Sequence, residues 1–299
     1  MRATGAVLAS PVPLSRRWSH ATRRRWAVVG LLAPAGVILA VLFAYPLVSI
    51  LGISFLTKYP GPASLTGKHY AAFVVEPYFL RVTLTTFELA VAVTLLTILI
   101  GYPVAYYFVR SRSRYKHLIF ICVISPLLVS IVVRTLGWTI LLGNEGLLNR
   151  LLVGLGLIRE PLRLLGNFWA IVVGMVHVLL PFMVLSIAGV LGKIDPTLTE
   201  SAAILGAHPA RAFLRVTLPL SIQGIAAGSV LVFCLTIGAF ITPWWLGRGK
   251  VLLFATTILD QILVLIEWPF GAAASMILVA MTLAILLAYF ACIARVGRR

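Results

Sequence analysis

Catalysis needs nucleophiles, carboxylates or metal ligands brought together, and this chain scatters them. Among 299 residues there are eight acidic side chains, five histidines and three cysteines. No Gly-x-Ser-x-Gly or His-Glu-x-x-His run occurs. Gly249-Lys250 is followed by Val251, and Trp244 stands where a phosphate loop needs its first glycine. No phosphate loop exists, so energy for any work must come from a partner. Cys122, Cys234 and Cys292 lie in apolar runs without metal-ligand spacing, which suits small packing residues and predicts no metal site. The side chains that draw notice are charges inside apolar stretches: Glu88, Arg134 with Trp138 one turn later, and Asp260. A charge in hydrocarbon costs several kcal/mol if unpaired. Glu88 and Arg134 therefore read either as a structural pair across neighbouring spans or as groups lining a route. His177, isolated in another apolar run, reads as an inter-helix hydrogen-bond donor.

One polar stretch, Lys193 to Pro219, carries its own helix grammar. Asp195 suits a helix N-cap and Pro196 the first helical position. Glu200 favours the positive end of the dipole, and Gly206 is a stop with expected positive φ. Leu198, Ala202 and Leu205 share one face, an apolar stripe that another protein could receive. His208-Pro209 opens a second short helix, which Leu218-Pro219 is expected to end. The stretch reads as a helical hairpin at a membrane face, against the plainer alternative of an amphipathic loop resting on lipid head groups.

The run Glu200-Ser201-Ala202, Gly206, Val216-Thr217-Leu218-Pro219 resembles the loop signature of inner-membrane permeases of binding-protein-dependent ABC importers. That signature reads Glu-Ala-Ala, three residues, Gly, nine residues, Ile, any residue, Leu-Pro, and the spacing here matches. Ser201 replaces Ala, Val216 replaces Ile, and Ala203-Ile204 stands where a charged pair is frequent. The resemblance implies a coupling helix seated in a groove of a cytoplasmic ATPase, with Glu200, Ser201, Ala202, Gly206, Val216, Leu218 and Pro219 as the coupling residues. A second set looks like spermidine/putrescine-type permeases, the first of the two permease subunits. It comprises Arg134-Thr135, Trp138, Leu141-Leu142-Gly143, Gly146 to Asn149, Thr242-Pro243, Leu246-Gly247, Gln261, and Trp268 to Ala272. That similarity implies a polyamine solute. Such a solute would gain from carboxylates and aromatic faces, which Glu88, Asp260, Glu267, Trp138, Trp244, Trp245 and Trp268 could supply. Tryptophans near span ends also serve as interface anchors.

These residues must be positioned by membrane helices. The chain is 61% hydrophobic and 11% charged, a polytopic composition rather than that of one or two soluble domains. Its net charge of +17 does not indicate nucleic acid, because the basic residues cluster beside apolar runs. A basic tail, 1–25, precedes a charge-free run at Trp26–Thr57 that is too long for a signal-peptide core. The latter reads as a first span with kink points at Pro34 and Pro46. Five more spans are expected at Val82–Val109, Leu118–Leu142, Asn167–Leu191, Ser221–Leu246 and Pro269–Ala294. Residues 26–81 then hold the first span and a periplasmic loop, 82–294 a permease core with the hairpin 193–219, and 295–299 a tail. Sixteen Lys and Arg fall on the side of both termini and the hairpin, and eight on the other, which predicts cytoplasmic termini. Val251–Ile266 is short and carries Asp260 at its centre, costing about 3 kcal/mol on insertion. It reads as a periplasmic or re-entrant helix.

The sequence thus predicts an all-α, six-span bundle, a type I ABC importer permease in a bacterial inner membrane. Implied partners are a second permease, two copies of an ATPase that binds the ATP, a periplasmic solute-binding protein, the solute and membrane lipid, with no nucleic acid. No cofactor is expected on the chain, and no enzyme activity. The alternatives are an ABC permease for another small solute and an ion-coupled secondary transporter.

Overall fold

The computed structural model describes residues 15–296, with side chains over 28–291. Helices follow from the composition, because hydrocarbon offers no water and a helix satisfies its backbone polar groups within one segment. The described residues divide into two compact units, with the boundary between Gly52 and Ile53. The described part of the first is helix α1 (Ser15–Ser54, ending just past that boundary), with Pro34 and Pro46 inside it.

In the second unit, α2 (Lys68–Val75) and α3 (Pro77–Arg110) are followed by α4 (Lys116–Leu128), α5 (Ile131–Leu141) and α6 (Leu147–Gly154). Then come α7 (Phe168–Leu191), α8 (Thr197–Ile204), α9 (Pro209–Ala212), α10 (Leu218–Ile237), α11 (Ile241–Gly247), α12 (Phe254–Leu259) and α13 (Trp268–Val296). Among the described residues five helices are long and apolar enough to cross a membrane, and the pair α4–α5 makes six if counted as one broken span.

The core is built around α7. Asn167 caps its start by accepting from the Ala170 N–H at 2.9 Å. Its Ile171, Met183, Ile187 and Leu191 are fully buried, together with Leu89 and Val93 of α3 and Val232 of α10. Lipid gives no hydrophobic drive between helices, so close backbone approach has to supply van der Waals contact. Gly228 does this on α10: a Cβ there would lie 2.6 Å from Met183 Sδ.

Three expectations are corrected. The third span, expected to be continuous over Leu118–Leu142, bends by 106° between α4 and α5. Pro126 lacks the N–H that would bond Cys122 O, and the Ser125 hydroxyl takes that carbonyl instead at 3.0 Å. Val129 and Ser130 then adopt extended ψ values of 137° and 136°. The fifth span, expected at Ser221–Leu246, starts at Pro209 and ends at Ile237. Gly238 closes it, and α11 begins separately, with Pro243 in a first turn where a missing N–H costs nothing. Finally, Leu218-Pro219 does not end a helix. A π-helical turn over Phe213–Thr217, closed by Leu218 N–H to Phe213 O, widens the backbone so that Pro219 is accommodated and the helix runs on.

Candidate functional site

The hairpin after α7 is shaped by its own sequence. Asp195 Oδ1 accepts from the Thr197 N–H at 2.9 Å. This bond holds the Asp195 carboxyl below the usual carboxylate range. At the other end Gly206 has φ +82°. The Ala207 N–H bonds Ala202 O at 3.0 Å and the Gly206 N–H bonds Ala203 O at 2.9 Å, which together make a Schellman closure of α8. His208 caps α9 through Nδ1, which accepts from Ala210 N–H at 3.4 Å.

The expected coupling residues lie on this one hairpin. Glu200 and Ser201 are exposed, Ala202 is half-buried, and Leu198 and Leu205 of the stripe are 46% and 87% exposed. None of the described residues donates to the Glu200 carboxylate. Val216 and Leu218 are half-buried in or beside the π turn, and Pro219 is exposed.

What fastens the hairpin to the bundle was missed by sequence reasoning. Arg110, the last residue of α3, donates through Nη2 to Ile194 O at 3.0 Å. Phe213, which opens the π turn, meets the edges of Tyr102 and Tyr106 at ring-centroid distances of 5.6 and 5.5 Å. The Ser221 hydroxyl donates to Leu218 O at 3.0 Å, so Tyr102 OH must be the donor of their mutual 2.8 Å bond. The only signal in the sequence was a pair of tyrosines one turn apart on an apolar helix that ends in arginine.

The opposite end of α7 carries the second set of expected residues. Glu88 and Arg134 are not paired. Arg134 donates through Nη1 to Pro126 O at 2.6 Å, serving an orphan carbonyl at the end of α4, while its Nε is buried without a partner. Glu88 is exposed on α3. Trp138 donates through Nε1 to His177 Nδ1 at 3.0 Å, so His177 joins the helices as an acceptor and not as the expected donor. Thr135 of α5 and Thr242 of α11 share a buried 3.1 Å hydroxyl bond.

Two cavities flank Phe240 and Ile241. One of about 370 Å³ includes Leu127, Arg134, Met175, Phe182 and Thr242. The other, about 290 Å³, includes Trp244, Trp245, Asp260 and Leu263. Asp260 opens a second π-helical turn, Asp260–Val264, so Val251–Ile266 is only a short apolar helix, Phe254–Val264. Among the described residues no group of three or more His, Cys, Asp or Glu could hold a metal ion.

Residues 97–298 match the family model described as the inner membrane component of binding-protein-dependent transport systems. The chain is 34% identical over 256 residues to the spermidine/putrescine transport system permease protein PotB of Escherichia coli (strain K12), covering 84% of this chain and 92% of that protein. It is 32% identical over 254 residues to the protein of the same name in Haemophilus influenzae, covering 82% and 86%. A bacterial alginate ABC transporter, solved in complex with its pentasaccharide-bound periplasmic protein, superposes with a TM-score of 0.73 at 21% identity over 89% of this chain and 93% of the matched chain. That likeness shows the fold alone. The family match spans the hairpin, and its residues stand at the spacing of the permease signature on a chain of apolar spans with no phosphate loop. The chain therefore belongs to the binding-protein-dependent inner membrane components, and is a multi-pass permease subunit of an ABC importer rather than an enzyme.

Proposed function

We propose that this permease imports a polyamine of the spermidine/putrescine class. It would do so with a second permease, two copies of a cytoplasmic ATPase and a periplasmic solute-binding protein. The observation that carries the solute is identity above 30% to two spermidine/putrescine permeases across more than four fifths of the chain. Membership of the ABC family removes the ion-coupled alternative.

The mechanism is alternating access. ATP binding draws the two ATPases together and moves the hairpin Lys193–Pro219 of this chain. Three features support the hairpin as the coupling element. Its apolar stripe is open, its Glu200 carboxylate is free among the described residues, and Arg110, Tyr102 and Tyr106 fasten it to α3. A push on the hairpin would therefore be felt by a spanning helix. Both termini and the hairpin lie in the cytoplasm on this reading, supported by the sixteen-to-eight distribution of Lys and Arg.

The test is uptake of labelled spermidine by cells carrying the whole importer. Uptake is expected to require the ATPase's phosphate-loop lysine and to be competed by putrescine. Loss of this chain with no change in spermidine uptake would contradict the reading.

A further inference from the structure

The cavity beside Asp260 differs in character from its neighbour. We infer that it is a binding station for one ammonium end of an aliphatic amine, an inference that rests on the polyamine reading and assigns it a place. The wall is apolar except for the two indole N–H groups and a single, exposed carboxylate, Asp260. None of the described residues donates to that carboxylate. Two indoles, Trp244 and Trp245, stand beside it with ring centroids 6.0 Å apart and planes 74° apart, and Phe240 completes the aromatic wall. An ammonium ion gains from both kinds of partner, through charge pairing with the carboxylate and through the negative faces of the rings. A volume of about 290 Å³ is at the small end of ligand cavities and suits an aminoalkyl chain.

The backbone supports the same place. Asp260 begins the π turn, closed by Leu265 N–H to Asp260 O at 2.9 Å. Two residues beyond the turn, Ile266 has φ +57°. A β-branched residue rarely takes that conformation. π turns and strained backbone both concentrate where a ligand must be met.

Position adds a direction. The Gly166 N–H just before α7 bonds Leu246 O of α11 at 2.8 Å, whereas the hairpin follows the far end of α7. The station is thus at the end of the bundle remote from the hairpin, where solute would arrive. Across Phe240 and Ile241 the next cavity carries the Arg134 guanidinium, which repels a second ammonium. One end of the amine is held while the rest waits outside that barrier.

The experiment measures the initial rate of spermidine uptake at a fixed concentration in cells carrying the whole importer, together with the amount of this chain in the membrane. Asp260→Asn is expected to lower the rate by about tenfold, the size of a lost charge-assisted contact. Asp260→Glu, which keeps the charge, should stay within about twofold, and Trp244→Leu should lower the rate by at least about threefold. An unchanged rate in Asp260→Asn would overturn the station, as would equal defects in Asp260→Asn and Asp260→Glu, which mark a structural role. A wild type with no spermidine uptake would overturn the polyamine reading, and the station with it. A wild type that takes up spermidine with an indifferent Asp260→Asn would overturn the station alone.

Discussion

Arg134 shows how a charge survives in an apolar segment without a carboxylate. Its Nη1 serves the Pro126 carbonyl at the end of α4, where the helix dipole also favours a cation. Arg134→Ala should lower the stability of the purified chain by about 1.5–3 kcal/mol, the worth of a hydrogen bond to a charged donor. Glu88 does not touch it, so the two sites should be independent. The double mutant Glu88→Ala/Arg134→Ala, followed by thermal unfolding in detergent, should be additive within about 0.5 kcal/mol. A coupling well above that would mean the two charges pair after all. The sequence made both residues conspicuous, since eight acidic side chains leave few that can lie in a span. It did not reveal the partner, because the Pro126 carbonyl is freed only once α4 and α5 bend.

At the scale of elements, what was legible is what local chemistry decides. The end of α8 followed from Gly206, and its start was legible to within a residue: the helix opens at Thr197 rather than at Pro196, with the Asp195 carboxylate on the Thr197 N–H, because helix ends use groups within a few residues of one another. The breaks at Val129–Ser130 and Gly238–Phe240 were not legible. Both lie in runs apolar enough to read as continuous spans, and both are held by contacts distant in sequence, such as Thr135 with Thr242. The π turn at Phe213–Thr217 was also missed, and Leu218-Pro219 read as a stop because proline usually is one. The cap at Asp195 yields a pH dependence. Its carboxyl lies below the ordinary range because it accepts the Thr197 N–H. A lowered folded value means that the cap's contribution is present above the ordinary carboxylate range and is lost as pH falls through the lower folded value. Protection of the Thr197–Glu200 amides, taken relative to their intrinsic exchange rates at each pH, should therefore fall in that acid window, and Asp195→Ser, which accepts the same bond without titrating, should remove the dependence. Exchange in the wild type that shows no such step would contradict this.

At the scale of the molecule, the family and the class of work were legible because the hairpin signature depends on spacing along the chain. The solute was less so, because a route is assembled from side chains on several helices that are distant in sequence. The central claim is that force passes through the Lys193–Pro219 hairpin. Gly206 isolates it. A Cβ there would meet nothing within 4 Å, yet φ is +82°. A valine therefore strains the turn by about 1–2 kcal/mol without disturbing the bundle, whereas asparagine tolerates this conformation. The most direct measurement is co-purification of the ATPase with Gly206→Val and Gly206→Asn chains from membranes in which both are inserted to wild-type levels, with solute uptake measured in the same cells. The account predicts that the valine variant loses the ATPase and uptake together while the asparagine variant keeps both. A valine variant that retains the ATPase and full uptake would contradict it.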